Sequence, residues 1–366
     1  MYASSRNRRG LRALHARQRG VTLVEIMVGM VVALLIALAA TGSAAVFTAS
    51  QRQGIGAGGM SVNVNTALAA LKGEAATAGL GFFGDSKFLC YALDLSVGTS
   101  VKYDATSFAP VRITADGSNS KLDMMYATSV DSGANVMLQG TSDGTSATLA
   151  SLLPAVNGQA VLLSPGTPGA TKPCVVRTVT AITDATDTSP QQLTFGGGGT
   201  YNGASFTTTP SFTADPGKDR IALIGNLHWS RYSVSSGKLI LERPLDGSSA
   251  TLMRNVVAFR VQYGITGTGA GDTTLAGWQA ASGTDFTSIS GATVERVRAL
   301  RIGLVTRSPQ REKANSSGNC EASAAKPTLF GATVEPDVSD WQCWRFRSAV
   351  VIVPLRNFTW RGEAKS

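Results

Sequence analysis

Histidine is scarce in this sequence of 366 residues, in which only His15 and His228 occur. The zinc-protease motif HExxH is absent, and the four cysteines form no CxxC pair and no Cys/His ligand spacing. His228 lies in an alternating run, where we expect a partly buried structural side chain. We therefore predict a protein that is not an enzyme and that holds no metal and no cofactor.

Acidic residues are absent from the first twenty positions, which carry six arginines. Without this arm the net charge falls from +9 to +3, from 27 basic and 24 acidic residues, so a nucleic-acid-binding face is not indicated. A smaller basic cluster near the C-terminus is interpreted as a solvated sheet edge, where charge deters strand addition. Its members are Arg296, Arg298, Arg301, Arg307, Arg345 and Arg347.

An apolar segment of 27 residues, from Val21 to Phe47, follows the arginine arm and contains a single charge, Glu25. As a helix it measures about 40 Å, which is enough to span a hydrocarbon core of ~30 Å. The preceding arginines orient the N-terminus toward the cytoplasm. A secretory signal has a shorter apolar region with its small-residue site behind it, whereas here Gly20 comes first.

The sequence GVTLVE at 20–25 resembles the class III leader of type IV pilins and type II secretion pseudopilins. The shared features are a basic leader, a glycine, an apolar helix and a glutamate at the fifth position after the glycine. The resemblance implies that a prepilin peptidase cleaves between Gly20 and Val21 and methylates the new amino terminus of Val21. Valine departs from the phenylalanine or methionine that is usual at the first mature position.

A charge such as Glu25 costs about 2.5–3.5 kcal/mol at the centre of a bilayer. The resemblance implies a reason for it, because in pilin filaments this carboxylate neutralises the freed amine of a neighbouring subunit. Pairing the two charges removes much of the cost of burying either one. Small residues also recur at every fourth position and predict a helix-packing face, since they let backbones approach closely. They are Gly29, Ala33, Ala37, Thr41 and Ala45.

Four glycines, at positions 54, 56, 58 and 59, follow the apolar segment, and each weakens a helix by about 1 kcal/mol relative to alanine. We therefore predict a flexible joint there, with the helix resuming over 60–78. Their spacing formally matches GxGxxG, but a dinucleotide site needs a strand before it. The predicted domains are a cleaved leader at 1–20, a transmembrane helix at 21–47, a helix continuation and linker at 48–84 and a β-rich head at 85–366.

Short apolar or alternating runs separated by Gly, Ser, Asp and Pro dominate the rest of the chain and predict strands. Alternation from Val257 to Ile265 indicates a strand with one buried face. Residues 294–307 fit a helix in their first half and a strand in their second, 266–290 are expected to be a loop, and 348–355 to be a central strand. The predicted fold is α+β, with a long N-terminal α-helix, half transmembrane and half packing, followed by a large antiparallel β-rich pilin head.

The cysteine count is even in a chain that we expect to be exported, which favours disulfides over buried thiols. Four cysteines allow three pairings. The short polar loop between Cys320 and Cys343 favours that pair, which leaves Cys90 with Cys174.

Two further parts of the chain resemble the PilW group of minor pilins. They are ALAALKGEAATAGLGFFG at 67–84 and a C-terminal series, NVVAFRVQYGI at 255–265, VERVRALRIGLVTRS at 294–308 and RFRSAVVIVPLRN at 345–357. The resemblance implies a structural minor pilin that primes and assembles type IV pili in a tip-associated complex. The implied partners are other minor pilins, the major pilin, a large tip adhesin and prepilin peptidase. The implied location is inner-membrane lipid, with the head in the periplasm, and then the pilus tip.

Two alternatives stay open. A J-type minor pseudopilin of type II secretion is related, although a length beyond 300 residues and the RN ending favour the pilus protein. A pilus-tip adhesin or DNA-binding module would bind its target with the head alone, whereas a minor pilin would bind other pilin heads.

Overall fold

The computed structural model describes residues 20, 22–83, 90–128, 135–140, 142–167, 169, 172–203, 212–268, 272–289 and 291–358. Residues 1–19 of the predicted leader, and Val21, lie outside the described residues. The chain divides into two compact units, Met1–Ile55 and Gly56–Ser366. The described helices are α1 (Leu23–Thr77), α2 (Gly283–Phe286) and three 3-10 helices, Gly291–Arg296, Trp341–Cys343 and Arg356–Phe358.

The strands of the second unit are numbered in chain order. They are β1 (Ala92–Val97), β2 (Ser100–Ser107), β3 (Val111–Asp116), β4 (Asn119–Ala127), β5 (Asn135–Met137), β6 (Ser146–Thr148), β7 (Ala160–Ser164), β8 (Cys174–Thr178), β9 (Ala181–Thr183), β10 (Gln192–Thr194), β11 (Arg220–Gly225), β12 (Leu227–Ser235), β13 (Lys238–Arg243), β14 (Ser248–Arg254), β15 (Val256–Thr266), β16 (Leu275–Gln279), β17 (Val297–Arg307), β18 (Thr328–Leu329), β19 (Ala332–Thr333) and β20 (Phe346–Pro354).

These strands form sheets of six, five, four, three and two strands. Their orders are β2-β1-β8-β7-β11-β5, β14-β13-β12-β4-β3, β16-β15-β17-β20, β6-β10-β9 and β18-β19. Among the described strands, the one parallel pairing joins β1 to β8, where Leu93 lies opposite Cys174. The prediction of a long N-terminal helix followed by a large antiparallel β-rich head is confirmed, with that single parallel pair as an addition.

The C-terminal part of α1 belongs to the second unit and buries one apolar face in the main core of the head. Val64, Leu68, Leu71 and Ala75 are buried at helical spacing, which matches the prediction of a helix over 60–78. Side chains of β4, β12, β15 and β17 fill the same core. A second core lies under the three-stranded sheet, where Leu163, Val175 and Leu193 are buried together.

The predicted joint is wrong as a break in the helix, because α1 runs through Gly54, Gly58 and Gly59. Glycine lowers helix propensity, but interrupting the helix would require a second, costly nucleation on the far side of the break. The boundary between the two compact units, Ile55 to Gly56, nevertheless falls inside the glycine cluster. A hinge at this boundary stays a prediction.

The C-terminal end of α1 is closed by groups from two distant parts of the head. Gly79 adopts a positive φ of 84°, and its N–H donates to the carbonyl oxygen of Met125 at 2.9 Å. The side-chain amide of Asn357 donates to the carbonyl oxygens of Thr77 at 3.0 Å and Ala78 at 3.1 Å. The Asn357 bonds satisfy carbonyls at the helix end that have no partner within the helix, and the Gly79 bond ties the following turn to β4.

Replacing Asn357 by aspartate is expected to destabilise the head more than replacing it by alanine. Alanine removes donors to two carbonyls, at about 1 kcal/mol for each hydrogen bond. Aspartate also sets a negative charge against the negative end of the helix dipole, which adds about 0.3–1 kcal/mol. Urea unfolding followed by tryptophan fluorescence measures both variants, with Asn319→Asp on the exposed 315–319 turn as the control. Equal losses for aspartate and alanine would contradict the helix-end role.

The alternation predicted from Val257 to Ile265 holds only in the middle of β15. Phe259, Val261 and Tyr263 are buried, whereas Val257 and Ile265 are half-buried. The register against β17 shifts near both ends of β15. A one-residue shift exchanges the two faces of a strand, so the outer residues of the run leave the buried face.

Three predictions for the C-terminal region need correction. The expected loop at 266–290 contains β16 and the short α2. The segment 294–307 is helical only to Arg296, as a 3-10 helix, and then forms β17. The run 348–355 was expected at the centre of a sheet, but β20 lies at the sheet edge with Val350 and Ile352 exposed. Its apolar composition reflects a buried inner face at Val353 and an outer face that solvent reaches.

Disulfide bonds are confirmed, and they involve all four cysteines. Cys90 is bonded to Cys174, the first residue of β8, across 84 positions of sequence. Cys320 is bonded to Cys343 across 23 positions, within the connection between β17 and β20. The longer loop is expected to give the larger stabilisation, because closing it removes more conformational freedom from the unfolded chain.

Candidate assembly site on the N-terminal helix

The first turn of α1 is held by a reciprocal pair of side chains, Thr22 and Glu25. The hydroxyl oxygen of Thr22 accepts from the backbone N–H of Glu25 at 3.3 Å. The carboxylate Oε2 of Glu25 accepts from the backbone N–H and the hydroxyl of Thr22, each at 3.4 Å. This is the capping-box arrangement, in which each side chain satisfies an N–H at the start of the helix.

The capping box was missed from the sequence, although the signal was present. TLVE at 22–25 has the form Thr-x-x-Glu directly ahead of an apolar run, which is the sequence signature of this cap. The box gives Glu25 a role within its own chain that is independent of any neighbour. Its hydrogen bonds to Thr22 are longer than the usual 2.7–3.2 Å, so they hold the carboxylate only loosely.

Behind Glu25, the helix surface is apolar and exposed. Leu23–Ala44 is long and apolar enough to cross a membrane, and none of its hydropathic window is buried within the chain itself. Leu34 and Leu38 are 67 % and 69 % exposed. Exposed apolar surface on this scale needs lipid or a protein partner to cover it.

The row of small residues lies along this exposed surface. Gly29, Ala33, Ala37 and Thr41 are exposed, and the side chain of Ala45 lies outside the described residues. The hydroxyl of Thr41 donates to the carbonyl oxygens of Ala37 at 2.9 Å and Leu38 at 3.0 Å. Because the Thr41 hydroxyl already donates to carbonyl oxygens of its own helix, it can pack against a neighbouring helix without needing a hydrogen-bond acceptor there.

Two family models match the chain. The model described as type IV pilus-assembly protein W covers residues 232–357, and the model described as the prokaryotic N-terminal methylation motif covers residues 15–41. Over these two segments the chain is similar to PilW-type minor pilins. No curated protein matches it significantly. Among solved structures, a type IV-like pilin from Thermus thermophilus is similar, with 10% identity, coverage of 82% of this chain and 98% of that chain, and a TM-score of 0.34.

The PilW match supports several of the expectations that were based on the sequence. Pilins are structural proteins, and a pilus-assembly family implies contact with other pilins and with the pilus machinery. The methylation motif and the apolar helix together indicate membrane anchoring and pilus assembly. The matched segment 15–41 contains Gly20, Val21 and Glu25, whose individual roles stay predictions.

Most arginines of the C-terminal cluster contact other residues of the head. Arg301 lies on the interior strand β17, between the rings of Trp278 at 4.9 Å and Phe330 at 4.4 Å. Arg307 pairs with Asp337 at 3.1 Å, and Arg345 pairs with Glu312, whose hydrogen bond raises the pKa of the Arg345 guanidinium. Arg347 is exposed on the edge strand β20, as expected for a solvated edge, whereas the interpretation is wrong for Arg301, because the strand order places β17 inside the sheet.

The connection between β17 and β20 is ordered by further polar contacts. Asp340 accepts hydrogen bonds from Arg311 at 2.6 Å and from the indole N–H of Trp344 at 3.1 Å. These bonds hold the pKa of the Asp340 carboxyl below its ordinary value. Together with the Cys320–Cys343 disulfide, they fix the loop that leads into β20.

His228 is exposed, which corrects the expectation of a partly buried side chain. It stacks on Tyr126 with ring centroids 4.9 Å apart, and its Nε2 lies 3.1 Å from the hydroxyl of Thr128. These contacts are structural, on the surface of paired strands β4 and β12.

One formal enzyme motif escaped the sequence reading: GTSDG at 140–144 has the form GxSxG. A nucleophile elbow needs a strand-to-helix turn with an exposed serine. Ser142 is instead buried, ahead of the short strand β6, and its hydroxyl accepts from the N–H of Thr148 at 2.9 Å. Within the described residues, no group of three or more His, Cys, Asp or Glu could hold a metal ion.

Proposed function

We propose that this chain is a minor pilin that primes and assembles type IV pili and ends at or near the filament tip. Prepilin peptidase cleaves the leader between Gly20 and Val21 and methylates Val21. Before assembly, the apolar helix holds the protein in the inner membrane as a single pass, with the N-terminus cytoplasmic and the head periplasmic. The proposed partners are other minor pilins, the major pilin and a large tip adhesin.

The observation that carries this proposal is one carboxylate at the start of an otherwise apolar, exposed helix. Glu25 is the single charged residue between Val21 and Phe47, and its bonds within the chain are long. Cleavage after Gly20 creates an amine of opposite charge at the same level of a helix bundle. Pairing the two across subunits lets both enter an apolar environment, where either alone is costly.

The small-residue row supplies the packing surface for that bundle. Its members are spaced by four, which follows one of the natural ridges of a helix surface. Gly29 has open space around the position of a missing Cβ, so a neighbouring backbone has room to approach. The head then determines which subunit is adjacent, since the helix surface offers the same small residues to any pilin.

Gly20→Asp is expected to abolish cleavage, because the peptidase site requires a small residue before the cut. The uncleaved chain should accumulate in the inner membrane and be absent from sheared filaments. Immunoblots of the two fractions and mass spectrometry of the mature N-terminus measure this. Gly10→Asp is the matched control, since it changes the charge of the arm equally and leaves the cut intact.

Deleting the gene for this chain distinguishes a role in pilus assembly from a role in type II secretion. Loss of surface pili with normal export of secreted enzymes supports the minor pilin. Normal piliation with lost export would overturn it in favour of the J-type pseudopilin.

A further inference from the structure

β20 is an unprotected sheet edge. It pairs with β17 through nine consecutive residue pairs, from Phe346 to Pro354, without a register shift. Within the described residues, no strand pairs with its other side. A long, regular, apolar edge presents a row of free N–H and C=O groups, and proteins normally avoid leaving such an edge open.

The other edge strands of the four larger sheets, among the described residues, are protected. Register shifts interrupt the pairing of β2, β14 and β16 with their neighbours. The edge strands β5, β6 and β9 have three residues each. The edge strand β3 carries the charged residues Arg112 and Asp116. Bulges, shortness and charge are the usual means of blocking strand addition, and β20 has only a terminal proline and one charge, Arg347.

The exposed side chains of β20 indicate what would cover it. Val350 and Ile352 are 48 % and 53 % exposed and point to the same face, since they are two positions apart. Arg347, near the start of the strand, is exposed and has no ion pair among the described residues, whereas the nearby Arg307, Arg311 and Arg345 each have one. The complement is an extended strand with apolar side chains and an acid near Arg347.

We propose that the free edge of β20 pairs with an extended strand from the head of a different pilin. Backbone hydrogen bonds join the strands, apolar residues cover Val350 and Ile352, and a carboxylate pairs with Arg347. This inference rests on the proposed function, because it takes the partner to be another pilin.

A second copy of this chain fits the edge less well than a different subunit does. The sequence of β20, FRSAVVIVP, contains no Asp or Glu. Self-pairing through β20 would therefore leave Arg347 of both copies without a charge partner from the opposing strand. The charge pattern of the edge favours a partner strand that carries an acid.

Site-specific photocrosslinking in piliated cells tests the proposal on the full chain. A photoreactive amino acid at position 350 is expected to crosslink to a protein with its own Gly–x4–Glu leader. The same probe at position 252 is the matched control, because Leu252 is 38 % exposed on the shifted edge strand β14. Crosslinks that join only two copies of this chain, or that are no stronger at 350 than at 252, would overturn the proposal.

Charge substitutions provide the second measurement. With the probe at position 350, Ile352→Lys and Arg347→Glu are each expected to reduce the crosslink by about tenfold or more, equivalent to ~1.4 kcal/mol, while Leu252→Lys leaves it unchanged. Both sites are exposed, so the variants should fold, and protease resistance of the head checks this. Unchanged crosslinking in variants that fold would contradict strand pairing at the edge of β20. If Gly20→Asp is still excluded from filaments, the proposed function survives that result; if Gly20→Asp enters filaments, the proposed function itself fails.

Discussion

Gly79→Ala is expected to lower the free energy of unfolding of the head by about 2–5 kcal/mol, from backbone strain and overpacking together. Gly79 follows the end of α1 and has a φ of +84°, a conformation that residues with a Cβ rarely adopt. A Cβ at this position would lie 2.6 Å from Cε2 of Phe358 and 3.1 Å from Cε2 of Phe83. Neither ring can easily move away from the added Cβ, since Phe358 is buried and the two rings pack with centroids 4.8 Å apart.

Gly73→Ala is the matched control and should have the opposite sign. Gly73 is an exposed residue within α1, and no atom lies within 4 Å of its missing Cβ. Alanine there should stabilise the helix by about 1 kcal/mol. Thermal or urea unfolding of the two variants measures the difference. If Gly79→Ala lowers the free energy of unfolding by no more than Gly73→Ala raises it, the turn tolerates a side chain at position 79.

A double-mutant cycle assigns the cause. If overlap with Phe358 contributes to the loss, then Phe358→Leu should cost less in the Gly79→Ala background than in the wild type, because the smaller side chain relieves the crowding. If the free-energy changes of the two substitutions simply add, backbone strain alone explains the loss caused by Gly79→Ala. Both positions lie in the second compact unit, so the cycle reports on the head alone.

The N-terminal segment was predictable because its signals are local. An arginine arm, a glycine and a long apolar run each act through composition and short spacing, and the apolar first part of helix α1 follows from them. The contacts that close the end of α1 were harder to predict. The helix predicted over 60–78 indicated roughly where α1 ends, but the amide of Asn357 that bonds to the carbonyls of Thr77 and Ala78 lies about 280 positions away.

The position of β20 was unpredictable for a different reason. A continuous apolar run is compatible with a strand that is buried on both faces and with an edge strand that is covered by a partner. Sequence spacing gives the strand but not its neighbours, which are set by long-range pairing with β17. The same ambiguity makes the exposed Val350 and Ile352 informative, since the run predicts burial that the isolated chain does not provide.

Glu25→Gln is expected to reduce incorporation into filaments by about tenfold or more, although the variant should be inserted and cleaved normally. Glutamine occupies the same position in capping boxes, so the first turn of α1 keeps its hydrogen bonds. The negative charge is lost, and the amine of a neighbouring subunit would then be buried without a partner. Removing one member of a buried charge pair costs about 3–5 kcal/mol, which is more than the ~1.4 kcal/mol that a tenfold change requires. Quantitative immunoblots of sheared pili, normalised to the processed form in the membrane, measure the effect.

Thr22→Ala separates the two roles of Glu25. It removes the hydroxyl that accepts from the N–H of Glu25 but keeps the carboxylate. Charge pairing predicts that Glu25→Gln and Glu25→Ala fail together while Thr22→Ala assembles nearly as the wild type does. A capping role predicts the reverse order, with Thr22→Ala impaired and Glu25→Gln normal. Because the hydrogen bonds between Thr22 and Glu25 are 3.3–3.4 Å long, the cap should contribute little, and we expect the charge to decide assembly.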